Sequence, residues 1–364
     1  DYGGSVREKT VSACSHSERL LIAVNGLLQV FRQDHRRGIM IRNSSQKRRG
    51  WTLSCNQQDF QKICERCQAK HPPVMFPTID VVWQPGSRGQ IRYQRKEETI
   101  RNQKRAHQEV EKIFRVLFPE QGLAVREEQI RLCHEMLDTL LGEQIALCDA
   151  GVGIGKTYAY LVACVLLRKY SMLTGRGNPL EQRPVVVSTS SIALQKAILT
   201  EYIPFLSRVL LEQGIIQSPL RAVVRKGKEH FVCDNRLEQR IEAIRHKQKN
   251  AVQKAALLSL RKHYDMDSVK NLSGFDRRLV CVPKFCPREC PGRQMCRYQR
   301  YLEESRKQDV FIQICNHNYL LADAYHRAEG YKPLLADYRT LIVDEAHKLP
   351  EAAKQMFGKN LCMD

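Results

Sequence analysis

The stretch 145–157, IALCDAGVGIGKT, constrains this chain more than any other, because it asks for a strand, a glycine turn and a helix in that order. Ala150 opens a phosphate-loop pattern that Gly155, Lys156 and Thr157 close. Gly151, Gly153 and Gly155 let the backbone curl so that successive N–H groups face phosphate oxygens. Val152 and Ile154 lie between them and serve the cradle through their backbone alone. Lys156 brings a cation to the terminal phosphates of ATP, and the Thr157 hydroxyl is suited to Mg2+. The spacing predicts a buried parallel strand over 145–148 and a long apolar helix over 158–169, so the loop meets a helix N-terminus whose dipole favours phosphate. A glycine turn that binds nothing would not need that context.

A second motif answers the first from far along the chain. The apolar run Thr340–Val343 leads into Asp344, Glu345, Ala346 and His347. A buried strand that delivers two carboxylates at its carboxyl end suits phosphoryl chemistry. Asp344 is placed to hold magnesium through water, Glu345 to orient and deprotonate the attacking water, and His347 to couple the nucleotide state to a second site. Upstream, Arg126 and Gln129 open a helix predicted over 130–141, where the carboxamide of Gln129 offers the donor and acceptor that an adenine edge requires. A further apolar strand at 184–188 ends in Thr189, Ser190 and Ser191 before a helix at 192–199. Those hydroxyls suit contacts to a nucleic-acid backbone, with a helix N-cap as the parallel role.

Charge points to the same class of partner. The chain has 364 residues with 59 Lys and Arg against 39 Asp and Glu, a formal +20, which predicts a polyanion as partner. The excess is concentrated: segment 221–307 carries 22 basic and 10 acidic side chains, and segment 1–105 carries 20 and 9. The apolar stretch 20–31 contains Asn25, Gly26 and Gln29 and is too short to span a bilayer, so no membrane partner is expected. The chain begins at Asp1 and stops soon after the second motif, and it is expected to be an internal fragment of a longer protein.

Fourteen cysteines beside an ATP motif read as metal ligands and buried thiols rather than disulfides. Cys233, Cys286, Cys290 and Cys296 follow the pattern C-x52-C-x3-C-x5-C, with Cys281 spare, and Pro287 and Pro291 stiffen the turns that aim the sulfurs. Four such thiolates suit a [4Fe–4S] cluster or a Zn2+ ion, and spacing does not choose between them. Cys55, Cys64, Cys67 and His71 form a weaker zinc candidate, and the apolar stripe of Phe60, Ile63, Cys64 and Cys67 on one helix is the better reading. Strand 78–83 follows, and 92–105 reads as a charged linker or exposed helix.

Taken together, REEQ at 126–129, AGVGIGKT at 150–157, VVVSTSSIALQ at 185–195, KGKEHFVC at 226–233, the cysteine set ending in CRY at 296–298, NHNYLL at 316–321 and VDEAH at 343–347 resemble the DinG/XPD family of superfamily 2 iron–sulfur helicases, its DinG-like branch most closely. The resemblance covers roughly 125–350 and implies an α/β RecA-like P-loop motor, a parallel sheet flanked by helices. It implies a mainly helical, cysteine-rich iron–sulfur domain inserted in that motor; it does not reach residues 1–105, which by their own residues read as a basic α+β N-terminal segment. The domains expected are an accessory segment over 1–105 and a first motor domain over 106–364, with the insertion at about 221–307 and a second motor domain absent. The activity implied is ATP-driven 5′ to 3′ translocation on single-stranded and forked DNA with duplex unwinding, in the cytoplasm and associated with the nucleoid. Cys233, Cys286, Cys290 and Cys296 then look like cluster ligands, with zinc the lesser reading and Cys281 able to replace Cys286. Without a second motor domain the fragment should bind nucleotide weakly and should not unwind. The competing classes are a zinc-stabilised P-loop ATPase and a nucleic-acid-binding scaffold without unwinding activity.

Overall fold

A computed structural model describes residues 37–43, 88–142, 145–173, 183–245, 251–286 and 289–357. Among these residues six strands form one wholly parallel sheet: β1 (Arg37–Asn43), β2 (Ile145–Ala150), β3 (Val185–Ser188), β4 (Arg221–Val224), β5 (Val310–Cys315) and β6 (Thr340–Val343), in the order β2-β1-β6-β3-β5-β4. β3, β5 and β6 are buried along their whole length, as near-continuous Val, Ile and Leu demand when both faces of a parallel sheet are covered. The α/β class and the parallel sheet flanked by helices agree with the sequence reading.

One helical layer is built by α1 (Arg88–Lys112), α2 (Glu127–Leu141) and α3 (Lys156–Leu173). The run Ala159, Tyr160, Leu161, Val162 and Ala163 is wholly buried, so α3 is wrapped on every side and needs no polar face. α4 (Ile192–Ala197) continues through a π-helical turn into α5 (Ile203–Glu212) and closes that layer. On the other face Leu320, Leu321, Leu341, Val343 and Leu349 gather α10 (His317–Ala328) and α11 (Leu349–Phe357) against the sheet.

Between β4 and β5 lies a lobe with a core of its own. It contains α6 (Asp234–Ala243), α7 (Ala251–Ser259), α8 (Gly274–Val280) and α9 (Arg297–Glu304), centred on Val232, Leu237, Leu257, Leu260, Met266 and Val280. It is mainly helical, as predicted, but Arg221–Val224 pairs with β5 and belongs to the sheet. Phe231, Tyr264, Tyr298 and Tyr301 join lobe to sheet, and Tyr301 lies under the buried guanidinium of Arg225.

The boundary at 105/106 falls inside α1, and β1 comes from the segment read as accessory. β1 pairs with β2 from Gly38↔Ile145 to Asn43↔Ala150 and with β6 from Arg37↔Thr340 to Met40↔Val343. Only four residues, 38–41, separate its basic neighbours, too short a run to announce a strand. The zinc candidate at 55–71 and the strand at 78–83 lie outside the described residues.

An ion cluster on the lobe sets one expectation. Asp267 accepts from Arg277 at 2.7 Å, His230 at 2.9 Å and Lys226 at 3.0 Å. Partial burial works against its charge, but the bonds from Arg277 and Lys226 prevail and hold its pKa down to about 2. A carboxyl depressed in the folded state stabilises above its unfolded pKa and loses that contribution as pH falls through the folded one. Acidification from pH 4 to 2 should therefore cost the lobe about 1–2 kcal/mol that an Asp267→Asn variant lacks at every pH, after allowance for solvent screening. Amide hydrogen exchange of α8 in the two proteins at pH 2, 3, 4 and 7 measures it.

Candidate nucleotide-binding site

β2 ends at Ala150 and α3 begins at Lys156, with the glycine loop between. Gly153 and Gly155 have φ of +86° and +85°, in the left-handed region where a Cβ is strained, so the loop's curl depends on glycine at both. A Cβ on Gly155 would also lie 2.0 Å from Gln129 Nε2. The same amide donates to Gly155 O at 2.7 Å, and the Arg126 guanidinium donates to Gly153 O. The two residues read as adenine contacts thus brace the phosphate loop, and Gln129 is 5% exposed as it does so. Sequence spacing carries no sign of that bracing, since the partners lie 26 and 27 residues apart.

Lys156 Nζ donates to Ala150 O at 3.3 Å and Gly151 O at 3.2 Å, which keeps the ammonium curled within the loop. Ile154 packs on the main core while Val152 is exposed. The parallel sheet brings the carboxyl end of β6 to the same edge, one strand away from β2. Asp344 there is 3% exposed, and its backbone N–H donates to Ser188 O at 2.8 Å. Burial pushes its pKa up, opposed by the Glu345 N–H at 2.9 Å and by the charge of Lys156. The fully buried Tyr160 ring sets its hydroxyl beside Thr157 and Asp344. A buried carboxylate next to a hydroxyl, with a lysine near, fits a divalent cation, because such a charge needs a counter-charge.

Glu345 sits at φ 54°, ψ 41°, and its carboxylate accepts from the Ser190 hydroxyl and from Lys348 Nζ at 3.3 Å. Burial opposes its ionisation, yet those two donors hold its pKa below the usual range. His347 follows in the turn, near Glu345 and His317. His317, missed by the sequence reading, is 2% exposed and bonds Ser188 Oγ through Nδ1 at 2.8 Å. Its place two residues after β5, at the start of a helix, was the signal.

The hydroxyl trio divides by burial. Thr189 is fully buried and its Oγ1 accepts from Ser191 N at 3.2 Å, which makes it a support. Ser191 caps α4 by accepting from Leu194 N at 3.2 Å. Ser190 and Ser191 are half-exposed.

The cysteines share the lobe. Cys233 precedes α6, Cys281 bridges to Val232, Cys286 is exposed, and Cys296 precedes α9. Burial pushes the Cys233 thiol up, while the backbone N–H groups of Arg236 and Asn235 work the other way and Cys290 is near enough to interact. A sulfur at a helix start, near its backbone N–H groups and a second sulfur, is the right chemistry for a cluster or zinc. Among the described residues, however, no three His, Cys, Asp or Glu stand together as a metal site. Nor, among these residues, is any helix long and apolar enough to cross a membrane.

No protein-family model matches the chain. It is 30% identical over 257 residues to the 3'-5' exonuclease DinG of Bacillus subtilis, covering 68% of this chain and 25% of that protein. It is 27% identical over 250 residues to the ATP-dependent DNA helicase YoaA of Escherichia coli, covering 66% and 36%. With the 3'-5' exonuclease DinG of Staphylococcus saprophyticus it shares 24% over 241 residues, covering 66% and 24%. The chain therefore spans a quarter to about a third of the length of these relatives.

Proposed function

Because the chain belongs to the DinG-like helicase family, we propose that it is the ATP-binding motor portion of an ATP-dependent DNA helicase. One observation carries the reading: a glycine loop ending in Lys156 and Thr157, and the carboxylates Asp344 and Glu345, meet at one edge of one parallel sheet. ATP lies along the loop 150–157, with its phosphates on the backbone N–H groups and Lys156, while Arg126 and Gln129 brace that loop through Gly153 O and Gly155 O. Mg2+, held by Thr157 and Asp344, supplies charge neutralisation at the phosphates when bound. Glu345 takes the proton of the attacking water, and Lys156 offsets the charge that develops on the phosphoryl oxygens. His347 links this centre to single-stranded DNA, whose phosphates contact Ser190, Ser191 and the basic lobe, with Thr189 supporting the turn from within. Unwinding and 5′ to 3′ travel belong to the complete protein with a second motor domain.

We further propose that Cys233, Cys286, Cys290 and Cys296 hold a [4Fe–4S] cluster that stiffens the lobe, with Cys281 the substitute ligand. The place of Cys233 at the start of α6, among its first backbone N–H groups, and its closeness to Cys290 support this. The test is made on the complete protein purified without oxygen. About four irons per chain and a visible band, both lost in Cys290→Ser, are expected. Binding of a labelled oligothymidylate should weaken with salt, by about 0.7 log units per tenfold salt for each phosphate neutralised. One zinc and no colour would leave a zinc-stabilised ATPase, and salt-insensitive binding would remove the lobe from the DNA path.

A further inference from the structure

We propose that Ser190 is a latch on the catalytic base: its single hydroxyl proton holds Glu345 until a DNA phosphate takes that proton's hydrogen bond and releases the carboxylate. The inference rests on the functional reading above and adds how hydrolysis is made to wait for DNA. Its observation is the bond from Ser190 Oγ to Glu345 Oε2 between residues 155 positions apart. A hydroxyl carries one hydrogen, so it donates to one anionic acceptor at a time, and carboxylate and phosphodiester compete for it. Lys348, which also donates to Glu345 at 3.3 Å, has three hydrogens and is under no such constraint.

The surroundings give the latch a fixed frame and one movable part. Ser188 O accepts from Asp344 N at 2.8 Å, Ser188 Oγ bonds His317 Nδ1 at 2.8 Å, and Thr189 N donates to Cys315 O at 3.0 Å. Ser188, Thr189, His317 and Asp344 are all at most 3% exposed, so this floor ties β3, β5 and β6 together and does not yield. Ser190 is the first half-exposed residue beyond it, bonded to Glu345 and followed by Ser191, the next residue of the proposed DNA surface. Glu345, at a left-handed φ of 54°, is 23% exposed in its side chain, so the part the latch must move is not packed in the core.

The experiment compares wild type, Ser190→Ala, Ser190→Thr and Lys156→Ala in the complete protein, measuring ATP hydrolysis with and without saturating oligothymidylate and oligonucleotide affinity by fluorescence anisotropy. Ser190→Ala should raise kcat without DNA by about tenfold, the worth of one hydrogen bond to a charged acceptor. KM for ATP should stay within about twofold, because Ser190 bonds nothing in the phosphate loop, and the stimulation ratio should shrink by about the same factor as kcat rises. Ser190→Thr, which keeps the hydroxyl, should restore the wild-type ratio. A basal kcat unchanged or lowered in Ser190→Ala, with stimulation intact, would overturn the latch and leave the helicase reading standing. Hydrolysis that survives Lys156→Ala would overturn that reading and the latch with it. If Ser190→Ala melts early, Ser190→Cys replaces it, since a thiol keeps the size of the side chain but donates only weakly: a raised basal kcat supports the latch, and an unchanged one overturns it.

Discussion

A Lys156→Ala variant of the complete protein is expected to lose DNA-stimulated ATP hydrolysis by about a thousandfold, roughly 4 kcal/mol of transition-state stabilisation, while keeping its fold. The two parts of that expectation have separate causes. Lys156 Nζ bonds only the carbonyls of Ala150 and Gly151 among described partners, and the loop around it is half-exposed, so water replaces what the truncation removes. Stability should change by no more than about 1 kcal/mol. The charge itself has no substitute, because the other donors at the loop, Arg126 and Gln129, are bonded to Gly153 O and Gly155 O and serve the backbone. Steady-state hydrolysis with oligothymidylate, alongside a thermal melt, separates the two. An unchanged rate would take the glycine loop out of the reaction.

The largest effect on stability is expected from Asp323→Ala, a loss of about 3–5 kcal/mol. Asp323 lies in α10 with no exposed surface, and its Oδ1 accepts from Leu334 N and Leu335 N, both at 2.8 Å. Oδ2 accepts from Arg327 Nε at 2.8 Å, and Arg327 in turn donates to Leu335 O at 3.2 Å and Ala336 O at 3.1 Å. One carboxylate thus satisfies two backbone N–H groups and a guanidinium that is 13% exposed. Truncation leaves all three without it, and unpaired buried polar groups carry the full cost of their lost water. The clamp fixes the turn that leads into β6 and hence the height at which Asp344 and Glu345 emerge. A Tm lowered by about 10 °C and reduced nucleotide affinity should appear together in Asp323→Ala. Asp323→Asn keeps one acceptor oxygen for the two N–H groups and should lose less than half as much. Equal melting of wild type and Asp323→Ala would show that the turn is held by other contacts.

Nothing in the sequence marks Asp323. An aspartate inside a helix has the same letter whether it faces water or seals a buried turn, and its partners lie 11 and 12 residues away across an irregular loop. The phosphate loop is different. Its chemistry needs contiguous residues at fixed spacing, so the strand, the glycines, Lys156 and Thr157 were all readable, as were Val310–Cys315 and Thr340–Val343, whose apolar runs match buried parallel strands. The helix of α2 was readable from its apolar period, but the bracing of Gly155 by Gln129 was not.

By itself, then, the sequence determined the elements whose signals are local: the glycine loop, the acidic end of β6, the apolar strands, the helical lobe and its cysteines, and the family. Tertiary structure decided what depends on neighbours. It set β1 between β2 and β6, buried Thr189 while leaving Ser190 half-exposed, tied Ser188 to His317, and laid the Ser190 hydroxyl on Glu345. Those contacts join segments 129 and 155 residues apart, and the order of strands in the sheet, not the order of residues in the chain, is what brings them within reach of a hydrogen bond.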